Sequence, residues 1–588
     1  MKIKHLFGLA VIAAMTASCS SNEDLGTAGP STGNNEAGVG YATFTINLPT
    51  TSGTRAGGDP TYDQGTLDEY DVNDVTLLIF KKAGKSEDEY TFVEKADLGN
   101  MAPWKKDDTA NGITASATIT AKLSSVALTS EGSKSDYYAL AILNNNADEH
   151  GEGGKVKLPT KTSDTFSSWN VASNTDVAKF TVNTNGYYMA NAPVYIKDGE
   201  PTTLVNIDKV YATKQKAETN AATTIHVERG LAKVSIASNA FPSTALKPTG
   251  TKYNEDEVKI TAWNLDVTNK STFPIHKTAG LKDTNFPTIW NNTTSASGAS
   301  VNRFVDGLNP SFKRVHWGID PNYSDDLTTV AACEGKFNIL PANTTIDGAA
   351  DKPQYCLENT FDINHMKQGQ TTRVVFKATY TPSVLSSPSE TDKTFFMIGN
   401  SSDIWTTKTL KDQIASKAKE ALRITTDPTV ELTGDLLTAG THVLTKSNVS
   451  IKIKEGETET EKVDDKLVAT LNTKLGLDDT KGIGIKTYKN GESYYIARIK
   501  HFGDDLTPWA EGQETYGKNN AENNTKYLGR YGVLRNNWYE LSIGSVSGPG
   551  TPDVPTIKPD EPDDESYRYI SVSVRILSWA KRSQSVDL

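Results

Sequence analysis

Short runs in which apolar and polar residues alternate, rich in Val, Ile, Thr and Tyr, recur along the whole chain: 41–48, 75–80, 137–143, 224–227, 232–237, 258–267, 371–380, 493–500 and 538–543. Alternation with period 2 predicts strands with one buried face, and the Gly, Asn, Asp, Ser and Thr clusters between the runs predict turns. Their spacing predicts a mostly β chain of two tandem β-sandwiches, transthyretin/Ig-like in kind, with few short helices. The clearest helix is 409–422, where Leu410, Ile414, Ala418 and Leu422 fall at intervals of four on one face. The scattered Trp and Tyr residues read mainly as sandwich core. No internal repeat of fixed period is evident.

The alternation is cleanest at the far end. Within 567–588, Ile570, Val572, Val574 and Ile576 are apolar, while Ser571, Ser573 and Arg575 between them are polar. Ahead of this strand, 547–566 holds five prolines and six acidic residues, a composition that predicts an extended hinge with little reason to dock on its own subunit. A strand on such a tether offers unpaired N–H and C=O groups to another molecule. At about 3.3 Å per residue, 569–588 reaches about 65 Å, more than one sandwich.

The first run carries the same alternation, in Ala42, Phe44, Ile46 and Leu48, so either strand could occupy one slot. Four such anchors give roughly 6–12 kcal/mol on burial. Ordering the backbone costs about 1–2 kcal/mol per residue, so the net gain is smaller and persistence would come from slow release.

Lys2 and Lys4 precede an apolar run, 6–15, of signal-peptide length, and small residues lead into Cys19. This predicts export, with Thr16-Ala17-Ser18-Cys19 approximating a lipoprotein cleavage site and Cys19 as the lipidated residue, although Thr16 stands where Leu is usual. The chain of 588 residues, with a net charge of -11, has no dense Lys/Arg block, so nucleic acid is not expected as a partner. Besides Cys19 there are only Cys333 and Cys356, which could form one bridge or remain two buried thiols.

Enzyme chemistry is hard to find. The eight histidines show no H-E-x-x-H and no i, i+4 pair, and there is no G-x-S-x-G. Gly154-Lys155 and Gly517-Lys518 are not followed by Ser or Thr, so neither reads as a phosphate loop. Asp504-Asp505 and the Asn519-Asn520 and Asn523-Asn524 cluster read as solvated loop rather than cation site. Neither an enzyme, a cofactor nor a metal is therefore expected.

Several segments carry a resemblance: Val227-Glu228-Arg229-Gly230-Leu231-Ala232-Lys233-Val234; the stretch WNLDVTNKSTFPI at 263–275; Tyr355-Cys356-Leu357-Glu358-Asn359-Thr360 with 371–380; and Arg535-Asn536-Asn537-Trp538-Tyr539-Glu540-Leu541 with the Pro-rich hinge and 570–588. In these the chain resembles the fimbrillins of Bacteroidales type V pili, the FimA/Mfa group, and is most like the Mfa-type major shaft subunits of short fimbriae. The resemblance implies a lipidated precursor whose N-terminal segment is removed by an arginine-specific surface protease, taking the first strand with it. The C-terminal segment of another copy then fills the groove. The implied scissile bond is Arg55-Ala56, in a loop of small residues that also reads as a nickable tip.

The expected organisation is a signal peptide 1–18, a propeptide 19–55, an N-terminal sandwich 56–222, a C-terminal sandwich 223–546, a hinge 547–566 and a donor strand 567–588. Implied partners are other copies in a head-to-tail filament, accessory anchor and tip subunits, the protease, and the outer membrane through the precursor lipid. The implied location is a cell-surface fimbrium serving adhesion and biofilm formation. The rival readings are an anchor or tip subunit of the same pilus, and a glycan-binding surface lipoprotein using Trp509 and Trp538.

Overall fold

The computed structural model describes residues 39–49, 66–98, 105–108, 113–146, 153–181, 186–195, 201–237, 241, 245–279, 281, 293–294, 300–301, 304, 313–323, 327–502, 507, 527–563 and 570–578. The chain is mostly β, as its patterning predicts. The first run forms the strand Gly40–Pro49. It belongs to a nine-stranded sheet in the order 91–95, 75–81, 137–143, 189–191, 223–229, 40–49, 113–123, 105–108, with 205–206 beside 137–143. One core joins both halves of this sheet, from Phe44 and Ile119 to Leu78, Phe80 and Leu140, all buried.

The strand Thr223–Arg229 bridges the two halves. Its start runs parallel to the first strand, Phe44 to Asn47 lying opposite Thr223 to His226. Its end pairs antiparallel with 189–191. This corrects the expected boundary at 222/223: the strand is part of the N-terminal sheet, and the crossing to the next sheet falls at Gly230-Leu231. The stretch 213–223, expected as a linker, instead holds the helix Lys214–Glu218, capped by Thr213 with Ala217 buried. Its polar composition hides a single anchoring alanine.

The C-terminal unit sets a four-stranded sheet, 354–356, 232–236, 537–546, 570–578, against a three-stranded one, 257–266, 373–381, 492–498. Val234, Tyr539 and Leu541 from the first meet Trp263, Phe376, Tyr380 and Tyr495 from the second in one core. Between adjacent strands 373–381 and 492–498 the chain inserts a unit that the patterning does not reveal, with its own core of Leu410, Ile414, Leu436, Ile451, Leu471 and Ile485.

Two helices pack with short strands in that insertion. The expected one is Thr407–Leu422, with Leu410, Ile414 and Ala418 buried and Thr406 and Thr409 closing a capping box. The other, Asp465–Leu475, is capped by Asp464 and ended by Gly476 in the left-handed conformation at φ 70°. It buries Leu467, Val468 and Leu471. Ile414→Ala is expected to destabilise the insertion by about 2–5 kcal/mol. Lys408→Ala, which removes only an exposed pair with Asp412, leaves it unchanged; denaturant unfolding measures both.

Candidate functional site

The first strand fills an interior position. It runs antiparallel to 113–123 along its whole length and parallel to 223–229 on the other side. Ala42, Phe44, Ile46 and Leu48 are all at most 1% exposed, so the apolar register predicted from alternation is the buried one. Phe44, Ile46 and Leu48 each contribute about 1.5–3 kcal/mol by burial. On the opposite face Thr43 and Thr45 place their hydroxyls 2.9 and 3.2 Å from those of Thr120 and Thr118. Tyr41 exchanges backbone hydrogen bonds with Tyr211, at 2.7 and 2.8 Å. At Gly40 an added Cβ would lie 2.4 Å from Val210 Cγ1, so only glycine lets the strand enter this closely.

The tail strand Ile570–Ser578 occupies an edge. It pairs antiparallel with Asn537–Val546, setting Ile576 opposite Tyr539, Val574 opposite Leu541, Val572 opposite Ile543 and Ile570 opposite Val546. The sequence shows no neighbour for it, yet its neighbour is the strand on the near side of the tether. An interior strand has a ladder on both flanks and an edge strand on one.

The tether also departs from expectation. Residues 547–563 dock on their own subunit instead of standing free. Val554 and Ile557 are buried. Thr551 exchanges backbone hydrogen bonds with Tyr494, both 2.8 Å, and Gln368 N donates to Glu561 O at 3.0 Å. Tyr488 and Tyr495 donate to the carbonyls of Gly550 and Gly548, and Arg373 donates to Pro555 O. Thr371 donates to Asp563 Oδ2 at 2.6 Å. Prolines lack N–H groups, but their carbonyls and the two aliphatic side chains suffice for docking.

A buried polar seam joins the two halves beside the tail. Lys233 Nζ lies 2.8 Å from Glu69 Oε1 and 3.7 Å from the centroid of Trp538. The Tyr355 hydroxyl donates to the same carboxylate. Burial raises the Glu69 carboxyl, but the Lys233 charge and the bonds from Lys233, Tyr355 and Thr66 outweigh it and hold the group below the ordinary 4.5. Arg229 donates from Nε to Glu69 O at 2.7 Å and from Nη1 to Asn536 Oδ1 at 3.3 Å. Alongside, His276 Nδ1 is 2.8 Å from Glu228 Oε1, and Arg535 Nε donates to Glu358 Oε2 at 3.1 Å. The segments around 228–233, 355–358 and 535–538, far apart in sequence, therefore meet here. Their clue was charge set inside apolar strands, as with Lys233 between Ala232 and Val234; Glu69, on the short helix Leu67–Tyr70, gave none.

Cys333 and Cys356 are free, buried thiols in separate apolar clusters, which corrects the bridge considered as one option. Burial pushes their thiols up to about 11 and about 12. Trp538 is engaged with Lys233 and donates to Ser235 Oγ at 2.6 Å, a packing role rather than a ligand surface. Cys19, Arg55, Ala56, Trp509, Asp504-Asp505 and the 519–524 cluster lie outside the described residues. Among the described residues no group of His, Cys, Asp and Glu is placed to hold a metal ion.

Residues 486–585 match the family described as "Major fimbrial subunit protein type IV, Fimbrillin, C-terminal". Over that stretch the chain is similar to the fimbrillins. The matched region takes in the strands 492–498 and 537–546, the docked tether and the tail strand. No curated protein matches the chain. Among solved structures, a candidate cell adhesion protein from Parabacteroides distasonis is 10% identical, covering 94% of this chain and 100% of that one at a TM-score of 0.36. Another, from Bacteroides eggerthii, is 13% identical over 94% and 100% at 0.31. The tip fimbrial protein Mfa3 of Porphyromonas gingivalis, with a C-terminal truncation, is 10% identical over 92% and 100% at 0.24. Likeness at these scores carries no weight for fold or function.

Beside the seam, Asp320 accepts from Asn269 Nδ2 at 2.6 Å and from Asn322 N at 2.8 Å. Burial pushes its carboxyl up to about 7 against these bonds. Its contribution to stability is therefore full below the ordinary 3.8 and is lost as pH rises through about 7. Asp320→Asn removes that component, so the difference in unfolding free energy between the two proteins changes with pH between those values and is flat above them. Urea unfolding at a series of pH values measures it.

Proposed function

We propose that this chain is the shaft subunit of a cell-surface fimbria, polymerised by donor-strand exchange. It is exported as a lipoprotein precursor anchored in the outer membrane through Cys19, cut by an arginine-specific protease between Arg55 and Ala56, and joined head to tail with further copies. Anchor and tip subunits complete the filament, which serves adhesion and biofilm formation.

One observation carries this reading. The strand just upstream of Arg55 lies in the interior of its sheet with its apolar face buried. A cut at that arginine leaves the first strand held only by noncovalent contacts, and its departure strips the paired backbone of 113–123 and 223–226. The tail has the matching alternation and sits on a sheet edge, where leaving costs one ladder and entering an interior slot gains two. Exchange between the slot of one copy and the tail of the next is a heterologous contact that propagates as an open filament. In the uncut chain the slot is full, so subunits do not polymerise before processing. With 547–563 docked, those residues take no part in an outward swing.

N-terminal sequencing of the surface-released protein is expected to begin at Ala56; an intact lipidated terminus contradicts the shaft assignment. Arg55→Ala should leave export intact and abolish heat-resistant ladders on gels. Deleting 567–588 should give a folded, exported and processed subunit that forms no filament, and filaments from such a strain would contradict donor-strand exchange.

A further inference from the structure

We propose that the strand Thr223–Arg229 and the buried seam at its end couple the first-strand slot to the tail, so that the tail is held firmly on its own sheet only while the slot is filled. The biological meaning of this coupling rests on the strand-exchange reading above. The coupling itself is a property of the single uncut chain, so either can fail without the other.

The two ends of one strand supply the connection. Thr223 to His226 form one flank of the slot, opposite Phe44 to Asn47. Three residues later Arg229, fully buried, binds the Glu69 carbonyl and the side chain of Asn536. Asn536 takes the left-handed conformation at φ 59° and donates its N–H to Leu231 O at 2.7 Å. The strand that hosts the tail begins at the next residue. A displacement at the slot therefore reaches the start of the host strand through one rigid element and one side chain.

Glu69 stands over the same place. Across the four-stranded sheet, Tyr355, Lys233, Trp538 and Leu577 lie in one register row. Glu69, from the N-terminal half, bonds to Lys233 and Tyr355, and Lys233 in turn lies against the ring of Trp538. The last member of the row is in the tail. This clamp does not relax gradually: Glu69, Lys233 and Arg229 are at most 3% exposed, and separating any of them strands a charge away from water. Such a seam is either closed or open. When it opens, an edge strand with one ladder gives way before the interior strands do.

Hydrogen exchange read by mass spectrometry on the full, uncut, monomeric chain tests this. Phe44→Ala, which loosens the first strand in its slot, is expected to speed exchange at 570–578 by about five- to tenfold, because coupling acts in both directions. Glu69→Gln is expected to do the same while 137–143, in the N-terminal core, stays protected. If Glu69→Gln loses protection throughout, Tyr355→Phe takes its place; it removes the hydroxyl that bonds Glu69 and Tyr187 but no charge, and should speed tail exchange by about threefold. Faster exchange confined to 40–49 and 113–123 in Phe44→Ala, or unchanged exchange at 570–578 in the seam variants, overturns the proposal.

Discussion

A strand in the interior of a sheet has its backbone paired on both flanks, and no other element can leave as large a deficit when it goes. In this chain that strand is Gly40–Pro49, lying between 113–123 and 223–229. Its four inward side chains are buried to the limit. Without it the sheet is divided along its length, with two unpaired backbone edges above an exposed core. Such a gap demands another strand.

In the proposed exchange the tail meets that demand from a position of lesser commitment. It rests at the edge of the C-terminal sheet, bonded on one side to the strand 537–546. Its tether is docked as far as Asp563 through Arg373, Thr371 and the tyrosines of 488–495. In the proposed exchange, docking of 547–563 leaves less chain to be ordered on capture and so limits the entropy lost. The polar seam of Glu69, Arg229, Lys233 and Asn536 lies between the two strand positions and belongs to neither sandwich core.

The two strands that matter most were legible from period-2 alternation, because a buried face imposes it: Ala42 to Leu48 is apolar at every second residue and inward at each of them. The helix Thr407–Leu422 was legible for the same reason, with period four. What escaped was non-local. The membership of Thr223–Arg229 in the first sheet depends on a parallel neighbour far away along the chain, and nothing in T-T-I-H-V-E-R announces which sheet it joins. The docking of 547–563 escaped because composition reports solubility, whereas two aliphatic side chains and a row of carbonyls decide the contact. The seam escaped because its charges come from four separate segments, and pairing them requires the fold. The insertion at 382–491, apart from its first helix, escaped because its strands are short.

The proposed exchange, in which the vacated slot of one copy receives the tail of another, is tested most directly by disulfide trapping between copies. One chain carries Thr118→Cys, on the strand that flanks the slot; a second carries a cysteine at Ser571, Ser573 or Arg575 in the tail. The two are processed together and oxidised. The account predicts a cross-link between different chains that appears only after cleavage and for which the first strand, supplied as a peptide, competes. A cross-link that never joins two chains, with the tail of the processed protein still on its own 537–546 strand, would contradict it.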